Sequence, residues 1–158
     1  MTFANPARRL RPLFVALALT LIVAACDALQ VTQPPATPTD FPGLSGRLAV
    51  AGILVGNYVS GDPGCDDRAL IPTAIRFTAS GLDQPEPVEL YLYIFRHRDA
   101  FERNRNLIGP CARSYVTDPE TFEQIEQSPY IVAGQGPWAP EFEAAFRRVL
   151  AAAAGTGG

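Results

Sequence analysis

Lysine is absent from this chain of 158 residues: all 13 basic residues are arginine, set against 16 aspartates and glutamates. Without lysine there is no P-loop, no Schiff-base nucleophile and no catalytic Ser-Lys pair. Histidine is nearly absent too. His97 stands alone, so a multi-histidine zinc site cannot be built within one chain. Serine occurs five times and never in a Gly-x-Ser-x-Gly elbow. Cysteine occurs three times, at Cys26, Cys65 and Cys111, with no Cys-x-x-Cys spacing. The net charge of −3 lacks the basic excess that nucleic acid would call for, so no nucleic-acid partner is expected. The length suits one domain rather than two.

What is present begins with a three-zone N-terminus. Arg8, Arg9 and Arg11 precede Pro12, and Leu13 to Ala25 is an uncharged apolar run of 13 residues. As a helix that run would span about 20 Å, short of the roughly 30 Å hydrocarbon core of a bilayer. It therefore reads as the h-region of a leader spanning 1–25 rather than a membrane span. Removing the leader takes away three arginines and no acids, which leaves 10 arginines against 16 acids, a net charge of −6.

The leader closes on Val23-Ala24-Ala25-Cys26, which resembles the lipobox of bacterial lipoproteins. The resemblance covers only the leader, and valine replaces the commoner leucine at the first lipobox position. It implies cleavage after Ala25, covalent diacylglycerol on Cys26 and usually acylation of the new amino group. It also implies a lipid-anchored protein on the extracytoplasmic side of the cell membrane, with no other cofactor. Two or three acyl chains hold a protein stably, whereas one is marginal. Asp27, directly after the cysteine, implies retention at the inner membrane if the host has two membranes. The body is similar to small exported lipoproteins with a β-α-β-β-α ending, a likeness that carries no motif for an activity.

Residues 26–45 hold the lipidated cysteine and a stretch rich in proline and threonine (Pro34, Pro35, Pro38, Pro42). Such a stretch buries no core and reads as an extended tether. A single domain is expected over 46–154, followed by a flexible Gly/Thr tail at 155–158. Leu48 to Val59 reads first as a buried strand and second as a short helix. Ala74 to Ser80 alternates as a half-buried strand, and Val88 to Phe95 is apolar on both faces, so it belongs centrally in a sheet. A helix is expected from an Asp99 N-cap to Ile108, stopped by Gly109-Pro110. A strand is expected over Ala112 to Thr117, then a helical turn from Asp118-Pro119 carrying Phe122 and Ile125, then a strand at Tyr130 to Ala133. The last helix opens at Pro140 with Phe142, Ala145, Phe146, Val149 and Leu150 on one stripe and a Glu143–Arg147 pair. This order predicts an α+β two-layer sandwich: an antiparallel sheet with two main helices on one face, in a ferredoxin-like arrangement.

With Cys26 lipidated, Cys65 and Cys111 have only each other, and an oxidising compartment predicts their disulfide. On the chain-entropy model such a loop contributes about 4 kcal/mol. Asp62, Asp66 and Asp67 crowd a Gly/Pro turn and are weak candidates for a hard cation; Thr73 stands where a calcium loop would need glutamate. Arg96, Arg98, Arg103 and Arg105 form a local basic patch suited to an anionic headgroup or partner, partly neutralised by Asp99 and Glu102. His97, between two of those arginines, lacks a motif for catalysis. Trp138, in a Gly/Pro loop, reads first as a packing plug against the last helix; if exposed, Tyr130, Gln135 and Trp138 are the candidate partner-binding residues, because exposed tyrosine and tryptophan anchor interfaces.

No catalytic residue is singled out. The reading is a membrane-anchored exported lipoprotein whose domain is a non-enzymatic module binding an envelope protein or ligand. The alternative is a small exported hydrolase using paired Asp and Glu residues for acid-base chemistry. A solute-binding component of an importer is disfavoured, since such proteins normally need two lobes.

Overall fold

The computed structural model describes residues 40–155. The expected leader over 1–25, Cys26 with its expected lipid, residues 27–39 of the expected tether and residues 156–158 of the expected tail lie outside the described residues. Helix α1 (Phe41–Val50) starts where Asp40 Oδ1 accepts from the Gly43 amide at 2.9 Å and Pro42 occupies the first turn. An aspartate cap and an early proline satisfy or remove orphan amides. The helix thus begins inside the stretch expected to be tether, because Leu44 and Leu48, four residues apart, are both fully buried.

Strands β1 (Ile53–Ser60), β2 (Ala74–Gly81) and β3 (Gln84–Ile94) follow as a meander. Helix α2 (Arg98–Ala112) then leads to β4 (Phe122–Gln127), β5 (Tyr130–Gln135) and helix α3 (Pro140–Ala154). The sheet order is β1-β2-β3-β5-β4, and every neighbouring pair is antiparallel. Since β5 lies antiparallel between β3 and β4, those two run parallel, and α2 is the crossover that joins them. The protein is an α+β sandwich with an open antiparallel sheet. No helix among the described residues is long and apolar enough to cross a membrane.

The period-two alternation of β3 decides the layering. Leu90 and Leu92 face one way, where Leu44 and Leu48 of α1 and Phe142, Phe146 and Leu150 of α3 complete a core with Phe77, Ile125 and Val132. Tyr91 and Tyr93 face the other way, against Phe101, Ile108 and Cys111 of α2 and Ile131 and Ala133 of β5. The two main helices therefore lie on opposite faces rather than on one, and the chain order is not the β-α-β-β-α-β of a ferredoxin-like fold. The reason is in β3 itself: a central strand apolar on both sides needs cover on both sides. Full burial of each large side chain contributes on the order of 1.5–3 kcal/mol.

Four local readings change for equally physical reasons. Helix α2 runs through Gly109-Pro110 to Ala112 because buried Cys111 and Ala112 hold its last turn in the core. His97 rather than Asp99 precedes that helix, without a side-chain cap, and Asp99 falls in the first turn, where it suits the dipole. Beyond Ala112 the expected strand is absent: residues 113–117 form a turn and irregular backbone, with the Val116 amide donating to the Ala112 carbonyl at 2.8 Å. Asp118 caps only a single 3-10 turn (Pro119–Thr121), after which Phe122 and Ile125 lie on strand β4.

Candidate functional site

The Gly/Pro turn after β1 is tied down by covalent and polar contacts at once. Cys65 and Cys111 stand at disulfide distance, with Cα atoms 5.4 Å apart, so the turn is stapled to the last turn of α2. Beside them the Tyr93 hydroxyl donates to the Pro63 carbonyl at 2.9 Å, and the rings of Tyr91 and Tyr115 stack 3.9 Å apart. Gly64, at φ +76°, sits under both rings, and a Cβ there would run into Tyr115 and Tyr91. Arg76 bridges two carboxylates: its Nε donates to Asp62 Oδ2 at 2.7 Å and its Nη1 to Glu89 Oε2 at 3.0 Å. The Tyr91 hydroxyl donates to the remaining oxygen of Glu89 at 2.9 Å.

This cluster has the look of a site but the electrostatics of a clamp. The Arg76 hydrogen bond holds the Asp62 carboxyl below its ordinary value, against the opposing effect of burial. Burial pushes the Tyr115 phenol up to about 12 and Tyr91 and Tyr93 higher still, so all three stay protonated near neutral pH. An ionised aspartate and neutral phenols around one arginine supply neither a general acid nor a base tuned to neutral pH. Asp62 is thus committed to Arg76, and Asp67 Oδ1 accepts from the Ala69 amide at 2.9 Å. Asp62, Asp66 and Asp67 do not converge, and no group of three or more metal-binding side chains is assembled among the described residues.

The three residues expected to bind a partner are engaged within the fold. Tyr130 is fully buried and Trp138 is 4% exposed, both inside the core under α1 and α3. The indole Nε1 donates to the Gln135 carbonyl at 3.0 Å. The Gln135 side chain is a loop clamp: its Oε1 accepts from the Thr117 and Asp118 amides at 2.8 and 3.2 Å, and its Nε2 donates to Thr121 Oγ1 and the Asp118 carbonyl. Sequence alone could not separate these roles, since a tryptophan in a Gly/Pro loop serves either as a plug or as an anchor.

Sequence reasoning missed Glu123. Its Oε1 accepts from the Trp138 amide at 2.8 Å, while its Oε2 is buried without a hydrogen-bond partner. Burial raises its carboxyl above the ordinary range, opposed in part by the Trp138 bond. A raised carboxyl is what a general acid needs, but an oxygen sealed from solvent cannot reach a substrate.

Two further surface features bear on function. At one end of the sheet a cavity of about 480 Å³ is lined by Asp40, Phe41, Ser60, Thr73, Arg96 and His97. His97 makes no hydrogen bond to Ser60 or to any other hydroxyl among the described residues, so no nucleophile-base pair is formed. The second feature is the β1 edge of the sheet. From Leu48 to Gly61 the chain carries no charge. Along that run Val50 is 92% exposed, and Leu54 and Tyr58 are 67% exposed each. Against known proteins the chain matches no family model, no curated protein and no solved structure.

Proposed function

We propose that this chain is an exported lipoprotein held to the cell membrane by acyl chains on Cys26, whose domain is a non-enzymatic binding module for an envelope protein. The anchor half of this reading rests on the arginine-rich start, the short apolar run and the Val23-Ala24-Ala25-Cys26 junction. A Cys65–Cys111 pair at disulfide distance fits an oxidising compartment. The binding half rests on one observation: β1 is an uncharged sheet edge with exposed Leu54 and Val59. Such an edge offers unpaired backbone donors and acceptors to an extended segment of a partner, with apolar side chains to fix its register.

The test is a pull-down from solubilised membranes using the tagged full-length chain beside its Leu54→Lys variant. Wild type should recover a partner reproducibly, and the variant should lose it at unchanged expression. Equal recovery by both, or turnover on a hydrolase substrate panel with no partner at all, contradicts the reading. Intact mass of the Cys26 peptide checks the anchor separately.

A further inference from the structure

We infer that the cavity at the Asp40 end of the domain is the face that meets the membrane, with Arg96, His97 and Arg98 among its anionic headgroups. The inference rests on the anchor reading, and it assigns a surface that the binding reading leaves unused. Only 13 residues, 27–39, separate Cys26 from Asp40. Fully extended they reach about 45 Å, and as a coil roughly 20 Å. Asp40 lines the cavity and begins α1, so this is the part of the domain that the chain leads to first from the lipid.

Charge points the same way. Residues 40–155 carry 10 arginines against 15 acids, so most of this surface is repelled by an anionic leaflet. Arg76, Arg105 and Arg147 are each neutralised by carboxylates at 2.5–3.7 Å. Arg96 and Arg98 are exposed and, like Arg47, Arg68, Arg103, Arg113 and Arg148, make no ion pair among the described residues; they are the two of these that flank the cavity residue His97. Two acids lie close by. Asp40 is engaged in capping α1 through its Oδ1, and Asp99 sits in the first turn of α2. The rim also offers what a headgroup region accepts besides charge. The Tyr58 ring, 67% exposed, packs 5.4 Å from Phe41, and Ile71, 42% exposed, adjoins cavity residues Pro72 and Thr73. Amphipathic aromatic rings favour the membrane-water interface, and arginine stems lie along apolar surface while their heads reach phosphate.

The test uses the full-length lipidated chain in vesicles of phosphatidylglycerol or of phosphatidylcholine, read by hydrogen-deuterium exchange. Amides of residues 96–101 should exchange about fivefold more slowly in phosphatidylglycerol, the scale expected for one arginine at an anionic surface. High salt or the Arg96→Gln/Arg98→Gln pair should abolish the difference, while the acidic turn at 62–67 shows none. An acylated Cys26 peptide with equal exchange in both vesicles overturns the membrane face alone. An unmodified Cys26 peptide overturns the anchor and the face together. The same protection from inorganic phosphate without vesicles makes the occupant a free anion and overturns the headgroup assignment.

Discussion

The two edges of this sheet are built on opposite rules. Strand β4 reads Phe-Glu-Gln-Ile-Glu-Gln, and its polar groups are engaged: Glu126 takes Arg105 at 3.0 Å and accepts from Gln124 Nε2 at 2.6 Å. Strand β1 reads Ile-Leu-Val-Gly-Asn-Tyr-Val-Ser and carries no charge, only an Asn57 side chain that donates to Thr78 Oγ1 at 3.3 Å. Charged side chains on an edge strand oppose pairing with another chain, and their absence permits it. A protein that guards one edge and leaves the other bare is asymmetric in what it can recruit. The covers are asymmetric as well, because α2 and its staple to Cys65 lie over Tyr91 and Tyr93 of β3 and Ile131 and Ala133 of β5.

Substitutions on the two sides of the sheet should differ in effect. The largest effect belongs to the staple: Cys111→Ser should lower stability by about 4 kcal/mol on the loop-entropy model, measured by chemical denaturation. The loss should open α2 and β4 in hydrogen exchange before it opens β1 and β2. Next comes Gly64→Ala, which forces a Cβ onto a positive φ beneath two tyrosine rings and should cost about 2 kcal/mol with loss of the Tyr91–Tyr115 stack. Thermal melts and near-ultraviolet dichroism check both halves of that expectation.

Smaller is the Glu123 effect on the β4 side, where the sign follows from linkage. Burial raises the folded carboxyl above 4.5, so folding takes up a proton, and this contribution is present in acid and lost as pH rises through the raised value. Replacing it by Glu123→Gln should therefore shift the melting temperature upward relative to wild type more at pH 7 than at pH 4. Asp62 has the opposite slope. Its lowered carboxyl contributes above its ordinary 3.8 and loses that contribution as pH falls. Smallest in stability are the edge exchanges. Leu54→Lys on β1 and Glu126→Val on β4 should each stay within about 0.5 kcal/mol by denaturation. Their association, followed by light scattering, should move in opposite directions, with the β4 variant becoming prone to self-pairing.

Much of the sheet was legible because its strands obey simple periodicity. The alternation from Ala74 to Ser80 is β2, the doubly apolar Val88 to Phe95 is at the centre as β3, and the stripe from Phe142 to Leu150 is the buried face of α3. The Cys65–Cys111 pair and the Glu143–Arg147 pair, at 2.8 Å, follow from inventory and spacing. What was not legible depends on tertiary context. Phe41 to Ser45 has the proline and glycine of a tether, and only the burial of Leu44 and Leu48 makes it a helix. Phe122 and Ile125 suit a helical turn as well as a strand, until β5 offers a partner. The placement of helices on both faces was implicit in β3 and still required the fold to be seen. At the site level the plug role of Trp138 was legible as the first of two readings, the loop clamp of Gln135 depends on turns far along the chain, and the bare β1 edge could not be recognised before β1 was known to lie at an edge.

We propose β1, and not β4, as the recognition edge. A photo-crosslinking side chain placed at position 54, and in a separate variant at position 124, tests it directly in intact membranes carrying the full-length chain. A discrete protein adduct from position 54 and none from position 124 is the expected result. Equal adducts from both edges, or an adduct from position 124 alone, would contradict it.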